Sequence, residues 1–379
     1  MKFIDIIGQD AVKARLVKTV KESRVSHAQL FLGPEGSGKL ALAIAYAQYI
    51  NCSNRNEFDS CGECPSCIKY EKLIHPDLHF VYPTARIKEI EKPTSKDFIV
   101  QWRELLIENN SYIKLPGWYE KISIERKQAI INTRDCNDII KTLSYKTYEA
   151  DYKVMIIWMV EKLFHAAAPK ILKILEEPPD KTLFILISED QEQIIKTILS
   201  RTQLVKVPPI DNEYLIKELI NENFEPGKIN DAVKLAQGNY IEAKRLLSNP
   251  DVEEYNFKQY TRWMRLCFMN KMADTIEFAN EMGKSSREKQ KNFLNYSLRL
   301  TRECLLINNQ SEGLIRLNKK ETEFVYGSGK KKFYPYINLK NAQLIADELN
   351  QSVYHIERNV NPNILFLDLS LNIGKMLKI

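Results

Sequence analysis

Gly33-Pro34-Glu35-Gly36-Ser37-Gly38-Lys39-Leu40 decides how the first half of this chain folds. The stretch follows Gly-x-x-x-x-Gly-Lys, a phosphate-binding loop, up to the position that calls for Ser or Thr, where Leu40 stands. Its glycines let the backbone curl until successive N–H groups converge on an anion at a helix N-terminus. Lys39 adds a cation for the terminal phosphates, whereas the missing hydroxyl is the group that ordinarily holds Mg²⁺. The flanks fit the motif. Leu30-Phe31-Leu32 is a short apolar run of the kind a buried parallel strand presents, and residues 40–47 are strong helix formers. Strand, glycine-rich turn and helix together argue against a chance Gly/Ser turn. Gly33, Gly36, Gly38 and Lys39 are therefore the candidate phosphate cradle.

Outward from the loop, apolar strands are expected at 29–32, 77–82, 153–158, 182–188 and 203–207, alternating with helical stretches. That rhythm predicts a parallel α/β sheet domain over residues 1–209, closed by Pro208-Pro209. Residues 210–250 read as a small helical lid. Residues 251–379 read as a separate all-α domain, broken near 327–335. Residues 84–126 interrupt the rhythm and read as a surface insertion without a legible role. Lys330-Lys331-Lys332 reads as a solvated loop in preference to a phosphate contact.

A second pattern lies just beyond the first helix. Of seven cysteines, Cys52, Cys61, Cys64 and Cys67 fall within sixteen residues, and the last three form Cys-x-x-Cys-x-x-Cys. Two-residue spacing turns neighbouring thiolates onto one tetrahedral centre, so residues 52–67 read as a structural Zn²⁺ insert. An iron–sulfur cluster is the rival, because the same spacing opens bacterial ferredoxin runs. Nothing else in the chain suggests electron transfer. Cys136, Cys267 and Cys304 stand alone and read as ordinary thiols.

Bulk properties narrow the function classes. With 379 residues the chain has room for two or three domains. A net charge of +6 permits a nucleic-acid partner without requiring one. No run approaches the roughly 20 apolar residues of a membrane span, and the amino terminus lacks a signal peptide's apolar core, so no membrane partner and a cytoplasmic location are expected.

A hydrolysing phosphate-loop enzyme also needs an acidic end to a neighbouring strand, for Mg²⁺ and for the attacking water. The candidate strand at 153–157 runs into Trp158-Met159, neither of which ligates a metal or accepts a proton. Glu161 lies two positions further and is expected to point elsewhere. With Leu40, both Mg²⁺-binding positions are lost.

His27-Ala-Gln-Leu-Phe-Leu-Gly-Pro, the four-cysteine insert, His75-Pro-Asp77, Leu172-Lys-Ile-Leu-Glu-Glu-Pro-Pro179 and Ser200-Arg201-Thr202 occur in an order that resembles bacterial clamp-loader subunits of the AAA+ class. The delta-prime branch of the DNA polymerase III subunits is the nearer, the gamma/tau motor branch the next. The resemblance covers residues 1 to about 210 strongly and the lid moderately. Over the carboxy-terminal helices it is weaker, apart from His355-Ile-Glu-Arg-Asn-Val-Asn-Pro362. It implies a P-loop α/β domain, a helical lid and a carboxy-terminal collar within a hetero-pentamer with gamma/tau and delta subunits. That assembly opens a sliding clamp and loads it onto primed DNA.

The resemblance also assigns roles. Ser200-Arg201-Thr202 matches the family's Ser-Arg-Cys motif with Thr in the Cys position, which makes Arg201 an arginine finger for ATP bound by an adjacent motor subunit. A guanidinium suits that task because it is always charged and planar. Ser188 stands where relatives carry a γ-phosphate sensor, and Ile241 where motor relatives place a sensor arginine, with Lys244 and Arg245 close by. The expected function is a non-hydrolysing subunit in which ATP or ADP binds weakly at a degenerate loop. Two alternatives stay open: an active DNA-dependent ATPase of the gamma/tau kind, and an independent zinc- and nucleotide-binding protein that acts on nucleic acid. Glu176-Glu177 before two prolines reads as a structural turn, and His27 as a packing or hydrogen-bonding residue.

Overall fold

The computed structural model describes residues 1–124, 127–327 and 332–379. Lys330 and Lys331 of the lysine run lie outside them, while the Lys332 ammonium sits 5.7 Å from the Tyr334 ring centroid. By compactness the chain divides into two units, Met1–Lys244 and Arg245–Ile379.

The first unit is built on a five-stranded sheet whose pairings are all parallel: β1 (Ala28–Leu32), β2 (Leu78–Val81), β3 (Lys153–Trp158), β4 (Thr182–Ser188) and β5 (Gln203–Lys206), in the order β2-β3-β4-β1-β5. β3 and β4 are buried along their whole length, as the unbroken apolar runs of an interior parallel strand require. Edge strand β5 carries exposed Gln203 and Lys206 instead. β2 is one residue shorter at each end than expected, and the residues beyond its ends bond elsewhere. The Asp77 carboxylate accepts the backbone N–H groups of Tyr148, Glu149 and Ala150 at 2.7, 2.9 and 3.0 Å. Ser95 Oγ takes the Tyr82 N–H at 3.0 Å.

Helix α1 (Asp10–Lys21) precedes the sheet, and α2 (Lys39–Ile50), α3 (Pro65–Glu71), α4 (Ile99–Glu108), α5 (Leu115–Lys121), α6 (Thr133–Ser144), α7 (Ala168–Glu176) and α8 (Lys196–Leu199) connect the strands. The expected lid stretch resolves into α9 (Asn212–Asn221), α10 (Pro226–Ala236) and α11 (Tyr240–Ser248). α2 is buried on every side, which its Ala-rich sequence permits. One face of the sheet is filled by Met155, Ile157, Phe184 and Leu186 against α6 and α7.

Residues 84–126 differ from the surface insertion expected. α4 and α5 lie inside that stretch, and Trp102 and Trp118 are fully buried. Trp102 stacks on Tyr82 at 4.1 Å between centroids, meets Trp118 edge-on at 5.1 Å and reaches Trp158 of β3 at 5.2 Å. The scattered aromatics that gave the stretch no helical period are a knot that closes over the end of β3.

The second unit is helical: α12 (Pro250–Met269), α13 (Met272–Lys284), α14 (Arg287–Asn308), α15 (Lys319–Tyr326), α16 (Ala342–Glu357) and α17 (Pro362–Met376). α14 packs along α16 and α13 along α17 around Trp263, Phe278, Phe293 and Phe366. The buried Trp263 N–H donates to Ser370 Oγ at 2.7 Å. Arg299 pairs with Glu321, which is fully buried and also accepts the Tyr296 hydroxyl at 2.7 Å. Among the described residues, no helix is long and apolar enough to cross a membrane.

Candidate functional site

The phosphate loop leaves the carboxyl end of β1, which lies between β4 and β5, and opens α2 at Lys39. Crevices at strand carboxyl ends are where open α/β sheets bind ligands. Gly36 and Gly38 hold φ of +71° and +83°, a left-handed conformation that strains any side chain. Lys39 is 6% exposed, and its ammonium donates to the Pro34 carbonyl at 2.6 Å and lies 3.5 Å from Glu189 Oε1. Burial lowers its pKa, and the Glu189 carboxylate offsets part of that shift. Gly36, Gly38 and Lys39 thus form the turn that opens α2.

The Mg²⁺ side is apolar as expected. Leu40, Trp158 and Met159 are all buried. Met159 adopts a left-handed φ of 59°, which for a residue other than glycine costs about 1–2 kcal/mol. Glu161 corrects the expectation that it points away. Its Oε1 accepts the Glu189 N–H at 3.2 Å, its charge acts on Lys39, and burial raises its pKa. Glu189, the residue after β4, thus lies 3.5 Å from the lysine ammonium, and Glu161 is joined to it through the Glu189 N–H. Nothing in the spacing of either residue signalled this, because both turns are set by the packing of β3 against β4. Ser188 is fully buried, and its hydroxyl accepts the Asp190 N–H at 3.2 Å.

Three further side chains, of Gln9, Asn239 and Tyr112, and the backbone N–H of Tyr240 meet the loop, and sequence reasoning missed them in this role. Gln9 Nε2 donates to the Ser37 carbonyl at 3.1 Å and to the Pro208 carbonyl at 2.7 Å. Asn239 Nδ2 donates to Glu35 Oε1 at 3.1 Å, and the Tyr240 N–H to the Gly36 carbonyl at 3.3 Å. Tyr112, from the connection between α4 and α5, accepts the Ile7 N–H at 3.0 Å and meets the Tyr240 ring at 4.9 Å. The cationic residues near the expected sensor position are engaged elsewhere: Lys244 with Glu222 at 2.7 Å and Arg245 with Glu253 at 2.9 Å.

Arg201 follows α8, and its side chain is one-third exposed. The guanidinium pairs with Glu176 at the end of α7 and donates to the Thr197 carbonyl at 2.9 Å. Glu176 is therefore a partner of Arg201 as well as the end of a helix. His27 Nε2 donates to the Leu175 carbonyl at 3.0 Å, which fixes α7 to the start of β1.

Cys52, Cys61, Cys64 and Cys67 bring their sulfurs within 4.8 Å of one another, with Sγ–Sγ distances of 3.5, 3.9 and 3.9 Å for the pairs 52–61, 52–64 and 61–67. A tetrahedral metal about 2.3 Å from each thiolate sets sulfurs about 3.8 Å apart, so the cluster fits one four-coordinate ion. Backbone N–H groups point at the sulfurs: those of Glu63 and Cys64 at Cys61, at 3.4 and 3.3 Å, and that of Cys67 at Cys64, at 3.5 Å. Burial pushes the Cys64 thiol up, but hydrogen bonds from Ser53 and Cys67 bring its pKa down to about 6, whereas burial raises the Cys52 and Cys67 thiols, so the four titrate as a linked set. Cys136, Cys267 and Cys304 are buried singly in the cores.

Comparison with known proteins follows this geometry. Residues 8–211 match the family model described as DNA polymerase III, delta subunit. The chain is 27% identical to the DNA polymerase III subunit tau/gamma of Haemophilus influenzae, over 62% of its own length and 29% of that protein. It is 26% identical to the DNA polymerase III subunit delta' of Bacillus subtilis, over 66% of its own length and 62% of that protein. The match thus spans less than two thirds of either relative. Among solved structures, a gamma-subunit-related protein from Thermotoga maritima aligns over 96% of this chain and 99% of that one, at a TM-score of 0.42 and 14% identity.

Proposed function

The chain belongs to the DNA polymerase III, delta subunit family of clamp-loader proteins, and we propose that within it the chain is a non-hydrolysing, delta-prime-like subunit. On this reading it assembles with gamma/tau and delta subunits in a cytoplasmic hetero-pentamer that loads a sliding clamp onto primed DNA. One observation carries the proposal. The two positions that should hold Mg²⁺ and activate water, Leu40 and the Trp158-Met159 pair, are buried hydrophobic groups built into the core. Without them a phosphoryl-transfer site lacks both its metal and the residue that orients its nucleophile.

The chemistry then passes to Arg201. Its guanidinium is partly exposed at the end of a short helix, and an exposed carboxylate, Glu176, is a partner that a phosphate can displace. The four thiolates hold a structural Zn²⁺, because a closed four-cysteine tetrahedron leaves no open position for chemistry. A second reading, an active gamma/tau-like ATPase, is favoured by the Glu189 carboxylate 3.5 Å from the Lys39 ammonium.

ATPase assays separate the two. The purified chain should show no Mg²⁺-dependent turnover above background, and robust turnover would establish the second reading. In a reconstituted loader, Arg201→Ala should depress DNA-stimulated hydrolysis by about 10-fold or more, below the roughly 10³–10⁵ of fingers in GTPases. An unchanged rate would remove the finger role.

A further inference from the structure

We propose that metal occupancy of the four-cysteine site governs a strap, residues 3–9 ahead of α1, and through that strap the order of the phosphate loop. The proposal rests on the reading of Cys52, Cys61, Cys64 and Cys67 as a metal site. Residues 52–64 contain no helix or strand, and the apolar cluster of the insert is Cys52, Cys64 and Cys67 with Cys61 packed against them. A segment with so little core of its own takes its order from the metal, whose binding energy is then folding energy. Asp59 stands two positions before Cys61, inside the loop that ligands 52 and 61 close. Its two carboxylate oxygens accept the Phe3 and Ile4 N–H groups, each at 2.9 Å. Asn56 of the same loop presents its side-chain oxygen to the Phe58 N–H at 2.8 Å and to the Asp59 N–H at 2.6 Å, which aims the carboxylate. Phe3 itself is buried against the Tyr49 ring at 5.6 Å, and the Tyr49 hydroxyl donates to the Asn56 carbonyl at 3.2 Å.

The other end of the strap is fastened to the phosphate loop. Gln9 Nε2 bridges the Ser37 carbonyl inside the loop and the Pro208 carbonyl beyond β5, and the Ile7 N–H donates to the Tyr112 hydroxyl. Between the two anchors, the Ile6 carbonyl accepts the Lys13 ammonium at 2.7 Å. From Ile4 to Gln9 the chain advances five residues, too short a segment to absorb release at one end without moving the other. Gln9 also holds a left-handed φ of 63°, a conformation that a residue with a side chain keeps only while its surroundings impose it. Freed from Asp59, the strap has a relaxed state open to it in which Gln9 leaves Ser37. Fastened and released are thus two states of one element, and the metal biases the choice by ordering the loop that carries Asp59.

The test is hydrogen–deuterium exchange on the full-length chain as purified, after metal removal by a strong chelator, and on Asp59→Ala, with metal content measured on every sample. Stripping the metal should speed exchange of residues 3–7 by at least about 10-fold and that of residues 36–42 by a smaller factor, with β3 and β4 unchanged. Asp59→Ala should give the same pattern while still holding its metal, because Asp59 is not a ligand. A metal-free chain whose residues 3–7 exchange as slowly as before, or a released strap that leaves exchange of the loop unchanged, overturns the proposal. Should stripping unfold the sheet as well, Asp59→Ala decides by the same two criteria. A purified chain without metal overturns the four-cysteine reading and this proposal together. Bound metal with a strap indifferent to its removal overturns this proposal alone.

Discussion

At the scale of single residues, charge placement separates what acts from what holds. Arg201 is partly exposed, so on the proposed finger role exchanging Glu176 for a phosphate would require little desolvation. Asp135 is the opposite case. It is 1% exposed and accepts hydrogen bonds from the Ser95 N–H at 2.7 Å and the Asn132 N–H at 2.9 Å, yet burial still lifts its pKa from 3.8 to about 6. The folded state therefore holds this proton more tightly than the unfolded chain. The resulting stabilisation is complete below the unfolded pKa and is lost as pH rises through about 6. Relative to Asp135→Asn, the wild-type protein should lose about 1 kcal/mol of unfolding free energy between about pH 5 and about pH 8. Denaturant titrations of both proteins at the two pH values check this. A pH-independent difference would show that the carboxyl is ionised in the folded protein throughout.

At the scale of elements, the insertion shows how tertiary contact can create local structure. α4 and α5 have only 10 and 7 residues, too short to be stable helices by themselves. They form because Trp102 and Trp118 bury their rings against Tyr82 and Trp158, and the Trp118 N–H reaches the Pro83 carbonyl at 2.8 Å. Trp102→Ala should destabilise the first unit by about 3–5 kcal/mol, the range for removing a buried large aromatic. Amide exchange of the same variant should show protection lost across 99–121, Tyr112 included. If exchange there stays slow, the aromatic knot is not what holds the two helices. Aromatic residues at irregular spacing carry no periodic signal, which is why the stretch read as a surface insertion.

At the scale of the whole molecule, the chain holds two units with separate cores, and the four-cysteine site belongs to the first. Stripping the metal with a strong chelator, or Cys67→Ser, should lower the thermal transition of that unit and leave the all-helical transition where it was. Metal analysis of the untreated protein should find about one Zn²⁺ per chain. A single transition moved as a whole would show that the two cores unfold together. The sequence by itself determined the phosphate loop, the positions of the five strands, the cysteine cluster and the absence of the usual Mg²⁺-ligating residue types at 40 and 158–159. Each of these depends on residue identity at short spacing: glycines for a tight curl, paired thiols for a tetrahedron, unbroken apolar runs for buried strands. Only the tertiary structure decided what stands against the loop. Gln9, Tyr112, Glu189 and Asn239 are brought there from four separate places in the chain, and short-range spacing carries no record of contacts made across the fold.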